Sequence, residues 1–191
     1  MPDYYFDIET GHKNLHDPNP RANLDPKHGR IITIQFQQLD SRTGSPLEPL
    51  TILKEWESSE AKILGEFKPL ITQNWWNFIP VGFNLNFEFK FLREKFKEYF
   101  VFDFSADAWL DRPKKDLKVI GVILNQGTFK GATLDSFTKK PTSGAKIPEW
   151  YREGDSGYSK ILDYVKYETE SFLTFWQKLK KNLPSLESLN D

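Results

Sequence analysis

Short runs of aromatic and β-branched residues alternate along this chain with longer stretches of helical periodicity. Residues 4–8 are such a run and read as a buried strand that closes at Glu9-Thr10-Gly11. Residues 12–29 hold Pro18, Pro20 and Pro26 among several Asn and Asp, which predicts an irregular loop. Residues 31–36 give a second strand, closed by a turn at 40–44, and residues 50–53 a third, so the first part of the chain reads as a three-strand meander. Ser58 and Ser59 precede a run of helix formers in which Ile63, Phe67, Leu70 and Ile71 recur at helical spacing, predicting a helix that ends near Thr72. Residues 78–83 suit a fourth strand. Asn84 then stands where it could cap a helix over 85–99, with Phe87, Phe91, Leu92 and Phe96 on its apolar face. Short helices are expected over 117–124 and 134–137, a Pro/Gly/Ser-rich loop over 141–157, and a last long helix over 158–182.

The order β-β-β-α-β-α followed by helices predicts an α/β fold. Its mixed sheet begins as a three-strand meander, continues with strands alternating with helices, and is flanked by helices. No repeat or linker divides the chain, so residues 1–191 read as a single domain, and at this length roughly 70% of the unfolded surface can be buried. Aromatics make up 15% of the residues. Most belong in the core, and an apolar remainder on the surface is compatible with a homo-oligomer. The absence of cysteine excludes a disulfide scaffold, a thiol nucleophile and a thiolate metal site. No stretch approaches the ~20 apolar residues of a bilayer span. The first residues lack the basic-then-apolar order of a signal peptide, so a cytoplasmic protein is expected, with no membrane partner.

A formal charge of −1 argues by itself against a nucleic-acid partner, but the charges are unevenly placed. Between Arg112 and Lys146 stand eight bases, among them Lys130, Lys139 and Lys140, against the two acids Asp116 and Asp135. Such a segment is a candidate for phosphate contacts, and Phe129 or Trp150 could stack on bases. A solvated surface is the plainer reading of the same lysines.

The acids carry more chemistry. Asp7 and Glu9 lie two apart on the first strand, so their side chains share a face that would otherwise bury two charges, which suggests a pair of metal ligands. Glu88 falls in the first turn of the helix after the fourth strand, where the macrodipole favours a negative charge. Tyr164 and Glu168, four apart on the last helix, share one face.

Taken in this order, the three motifs resemble those of the DEDD superfamily of 3′→5′ exonucleases, whose fold is RNase H-like. Tyr5-Phe6-Asp7-Ile8-Glu9-Thr10 looks like the first exonuclease motif, Asp-x-Glu-Thr at the end of an apolar strand. Residues 82–92 look like the second, Asn-x-x-Phe-Asp, with Asn84 and Phe87 matching. Tyr164-x-x-x-Glu168 looks like the third in its tyrosine form. In the second and third motifs Glu88 and Glu168 stand where the family has Asp. Each adds a methylene, so the helices would have to stand slightly farther from the strand for Mg²⁺ to keep its short, octahedral bonds. The histidine subtype is disfavoured, because His12, His16 and His28 all fall in the early loop.

The resemblance implies a metal-dependent 3′→5′ exonuclease of single-stranded nucleic acid, DNA rather than RNA, working with two divalent cations, Mg²⁺ or Mn²⁺. Asp7 would bridge the two metals, Glu9 and Glu168 complete one of them, and Glu88 hold the other. Tyr164 would orient the attacking water. Thr10 and Gly11, with Asn84 and Phe87, would contact the terminal nucleotide, and Lys130, Lys139 and Lys140 the phosphates behind it. Two alternatives stay open: an RNA-trimming exonuclease, and a degenerate domain that binds single strands without cutting them.

Overall fold

The computed structural model describes residues 1–15, 19, 21–138 and 143–182. Five strands form one sheet in the order β3-β2-β1-β4-β5: β1 (Asp3–His12), β2 (Gly29–Leu39), β3 (Thr51–Lys54), β4 (Ile79–Gly82) and β5 (Lys115–Asp116). β1 and β2 pair antiparallel, as do β2 and β3, which makes the predicted meander. β4 then joins β1 in parallel and β5 joins β4 in parallel. β1 therefore lies at the centre of a mixed α/β sheet, where both of its faces are covered.

The alternation along β1 sorts its side chains between two layers of helices. Phe6 and Ile8 enter a core with α1 (Glu60–Thr72) and α2 (Leu85–Phe100), where Phe6 stacks on Phe67 with ring centroids 5.0 Å apart. Tyr5 faces the other way and packs on Phe172 of α7 (Asp155–Asn182), with centroids 4.9 Å apart. Most aromatics are used as expected: Phe6, Phe67, Phe91, Phe96, Phe172 and Trp109 are all buried. Among the described residues no helix is long and apolar enough to cross a membrane.

The pairing of β1 with β2 slips between Glu9 and Thr10, so that Glu9 faces Thr33 and Thr10 faces Ile31. A slip of this kind bends the strand and frees backbone groups. The N–H of Ile31 is taken up by Glu60 Oε1 at 2.7 Å, and Glu60 in turn accepts from Tyr99 and lies 3.9 Å from the fully buried Lys95. This buried network ties the bend to both α1 and α2.

Several elements differ from the expectations. β1 and β2 run longer than 4–8 and 31–36, and Thr10 and Gly11 lie inside β1 rather than after it. β5 and α3 (Ala106–Asp111) were not anticipated. Each is too short to show a period, and α3 is marked chiefly by Ser105, whose side chain accepts from the N–H of Ala108. Beyond α4 (Leu117–Leu124) and α5 (Leu134–Phe137), the expected loop over 141–157 contains α6 (Ile147–Arg152), and α7 begins three residues before Tyr158. Pro148, which suggested a loop, occupies the first turn of α6, where its fixed φ suits a helix start. Asn84 makes no side-chain cap. Its backbone is left-handed at φ 72°, and its N–H donates to Asp116 Oδ1 at 2.8 Å.

Candidate active site

Asp7 and Glu9 follow Tyr5 on the face of β1 that looks toward α7. Asp7 sits directly opposite Gln35, whose Nε2 donates to Asp7 Oδ2 at 3.1 Å; Thr33, opposite Glu9, donates to Gln35 Oε1 at 2.9 Å. Tyr5 adds a hydroxyl donor 3.4 Å from the same Asp7 oxygen. Gln35 and Thr33 were not singled out from the sequence, although the polar positions Thr33, Gln35 and Gln37 alternate along an otherwise apolar strand and so had to share the acids' face.

α7 brings Tyr164 and Glu168 to this face, with Phe172 one turn further on against Tyr5. Carboxylate oxygens of Asp7, Glu9 and Glu168 all lie within 4.8 Å of one another. Glu88 arrives from the other layer, at the start of α2, and its side chain hydrogen bonds to Asp7. The four predicted acids therefore converge, Glu88 reaching Asp7 from α2.

Electrostatics follow from this crowding. Glu88 is only 4% exposed, and burial first, then the charge of Asp7, pushes its carboxyl well above the usual carboxylate range. Its Oε2 is buried with no hydrogen-bond partner. The Tyr164 phenol is pushed far above its ordinary range by burial, then by the charges of Glu9 and Glu168; it also hydrogen bonds to Glu168. Tyr164 therefore keeps its proton and acts as a donor.

Clustered carboxylates with an orphaned buried oxygen are the donor set of a hard divalent cation, so the residues present fit Mg²⁺ or Mn²⁺. A neutralising ion also removes the reason for Glu88 to hold a proton.

A cleft of 260 Å³ opens beside Asp7 and Glu168. Its walls include Asp7, Glu168, Asn84, Lys118, Thr133 and Asp135. Lys118 and Asp135 were not assigned to the site from the sequence, since Lys118 stood among similar bases and no motif marked Asp135. Of the expected substrate contacts, Asn84 lines the cleft. Phe87 packs against Phe91 with centroids 5.0 Å apart, and Thr10 and Gly11 are buried at the end of β1. Lys130 is exposed, as is Phe129 at 75%, whereas Lys139, Lys140 and His16 lie outside the described residues.

The rest of the basic segment divides. Arg112 is buried and donates to the carbonyls of Ile71 and Phe78; Lys114 donates to those of Trp109 and Leu110. Lys115 pairs with the buried Asp3 at 2.5 Å, and Lys118 donates to Ala132 O. Half of the eight bases are thus engaged in holding the fold.

No family model and no curated protein matches the chain. Among solved structures, it is similar to Escherichia coli exonuclease I in complex with a dT13 oligonucleotide, with a TM-score of 0.62 and 15% identity over 99% of this chain and 43% of that one. The zinc-bound complex of the same enzyme with single-stranded DNA gives a TM-score of 0.62 at 16% identity, covering 99% of this chain and 42% of that one. A further structure of exonuclease I gives 0.61 at 16% identity over 97% and 42%. The chain thus shares the exonuclease fold and spans about two fifths of the length of these neighbours.

Proposed function

We propose that this chain is a metal-dependent 3′→5′ exonuclease of single-stranded nucleic acid, with DNA as its substrate. The observation that carries the reading is the convergence of Asp7, Glu9 and Glu168 within 4.8 Å, joined by Glu88 from α2 and by Tyr164 one turn before Glu168 on α7. The helix dipole accounts for Glu88 alone, and the mutual repulsion of the carboxylates opposes bringing all four to one point. The shared fold with a nuclease whose complexes hold single-stranded DNA supports the choice of substrate.

In this reading Asp7 with Glu9 and Glu168 would hold one divalent cation, and Asp7 with Glu88 a second. Such ions would neutralise charge developing on the phosphate and acidify water. Tyr164, kept protonated, donates a hydrogen bond that orients the attacking water beside Glu168. Gln35 and Tyr5 fix the Asp7 carboxylate by donating to its Oδ2. Water adds to phosphorus and the bond to the 3′ oxygen of the preceding nucleotide breaks. That oxygen leaves as a hydroxyl, and a 5′-mononucleotide is released. Asn84 in the cleft wall, Thr10 and Gly11 at the end of β1, and Phe87 contact the terminal nucleotide, while Lys130 faces phosphates.

A thymidylate oligonucleotide labelled at either end, incubated with Mg²⁺ or Mn²⁺, tests this. A ladder shortening by single nucleotides from the 3′ end is expected, with the 3′ label lost first. Binding of the strand without cleavage in either metal overturns the reading and favours a binding domain, and preferential trimming of RNA of the same sequence overturns the choice of DNA.

A further inference from the structure

The carboxylate cleft opens on the α7 side of the edge where β1 ends. On the α2 side of the same edge lies a second concavity, a groove of 380 Å³ between the turn that enters β2 and the outer face of α2. Lys27 comes from the turn; Lys90, Arg93 and Lys97 come from α2 at spacings of three and four, which keeps them on one stripe. Gly29 lets the turn lie this close, because a Cβ there would stand 3.0 Å from the Phe91 ring. The floor includes Phe89, which is fixed by stacking on Trp109 with centroids 4.9 Å apart.

The groove also holds Asp25 and Glu94, and the Asp25 carboxylate already accepts the backbone N–H of Lys27 at 2.9 Å. Arg93 faces the exposed Asp103 at 3.5 Å. Lys27, Lys90 and Lys97 make no ion pair with any described residue. Other lysines form ion pairs, among them Lys13 with Glu98, Lys54 with Glu57, Lys115 with Asp3 and Lys160 with Glu153. Glu94, four residues after Lys90 and three before Lys97, offsets part of their charge, but four bases against the two acids leave the groove with an excess of positive charge. From Lys90 to Lys97 the helix rises about 10 Å, long enough for more than one phosphate in a row.

We propose that this groove is a second phosphate-backbone site, which grips the single strand on the 5′ side of the nucleotide whose 3′ end lies over the carboxylates. It rests on the exonuclease reading for the identity of the strand. Two features join groove and cleft. The first turn of α2 sends Glu88 inward to Asp7, and its next turns supply Lys90, Arg93 and Lys97 to the groove. The groove stands at the end of β1, because His12 pairs with Gly29 at the exit of the turn that carries Lys27. The contacts are to charge and not to base edges, so the grip is independent of sequence.

The test is binding of 5′-fluorescein-labelled thymidylate strands, a 20-mer and a trimer, to the full chain in EDTA over a range of salt. In Lys27→Gln/Lys90→Gln/Lys97→Gln the Kd for the 20-mer rises about tenfold, and the slope of log Kd against log salt falls by about 2, from 0.7 for each lost phosphate contact of a single strand. The trimer, seated in the cleft, changes less than about twofold. A control lacking Lys62, Lys160 and Lys181, also as Gln, keeps the wild-type slope. Wild-type Kd and slope for the 20-mer in the groove variant overturn the proposal, as does an equal loss on the trimer or in the control. A wild-type chain that binds the 20-mer but does not cut it with Mg²⁺ overturns the hydrolytic reading instead, and leaves the groove to be judged by these slopes.

Discussion

Two concentrations of charge stand out along this chain, and the fold treats them in opposite ways. The acids at positions 7, 9, 88 and 168 are scattered over most of the sequence, yet they meet at one point. The bases between Arg112 and Lys146 are contiguous, yet Arg112, Lys114, Lys115 and Lys118 diverge to carbonyls and to Asp3 in different parts of the molecule. The difference lies in the side chains and in what carries them. A carboxylate two or three bonds from a central strand, or in the first turn of a helix, points where the backbone points it. A lysine on a four-carbon stem can turn back to any nearby acceptor, so its place in the sequence says little about where its charge acts.

The comparison is broken most directly at the acids. Asp7→Asn keeps the size and the acceptor for Gln35 but removes the charge shared by both proposed ions. Several kcal/mol of transition-state stabilisation disappear with it, so kcat falls about a thousandfold or more, measured as nucleotide release at saturating Mn²⁺. A variant within tenfold of wild type would remove Asp7 from the site. The converse holds at Arg112. Burial pushes its pKa down to about 10, which still leaves it charged at neutral pH, and its guanidinium carries the carbonyls of Ile71 and Phe78. Arg112→Ala strands those acceptors and lowers unfolding stability by about 3 kcal/mol in urea, while the salt dependence of strand binding by the folded variant stays at the wild-type slope. A stable variant with a shallower slope would return Arg112 to the phosphate track.

How far the sequence could be read follows the same division. The meander, α1 and α2 were legible because each rests on a local period, and so was the sharing of one face by Asp7 with Glu9 and by Tyr164 with Glu168: two along β1, three to four along the helices. The resemblance to the exonuclease motifs rests on those same positions. What escaped was set by partners distant in sequence. β5 is two residues long and exists because β4 offers it an edge. α6 is fixed by contacts that no local pattern reports, with Trp150 against Tyr164 and the Tyr151 hydroxyl on Glu55. The left-handed Asn84 looked like a cap, but its position is determined by Asp116, thirty-two residues later. Gln35 was legible in principle, and only the register of β1 with β2 makes it the residue that holds Asp7.

The finest test sets Glu88 as a ligand against Glu88 as a structural group. Its carboxyl is held above the ordinary range by burial and by Asp7, so without a metal the folded protein binds a proton that the unfolded chain releases. Stability is then fully present below the unfolded value near 4.5 and falls as pH rises toward the folded one, by about 1.4 kcal/mol for each unit between them. Glu88→Gln needs no proton and keeps a hydrogen-bond donor toward Asp7. In EDTA the variant therefore loses the falling limb, and at pH 7.5 it unfolds at a higher temperature than wild type, by an amount on the order of 1 kcal/mol. Saturating Mg²⁺ reverses the ranking: a cation favours the ionised carboxylate of the wild type, stabilises it by mass action, and finds one ligand fewer in the variant. Thermal melts of both proteins between pH 5 and 8.5, with and without Mg²⁺, read the whole pattern. Parallel curves in EDTA would mean that Glu88 carries no excess proton, and an equal gain from Mg²⁺ in both proteins would remove it from the metal site.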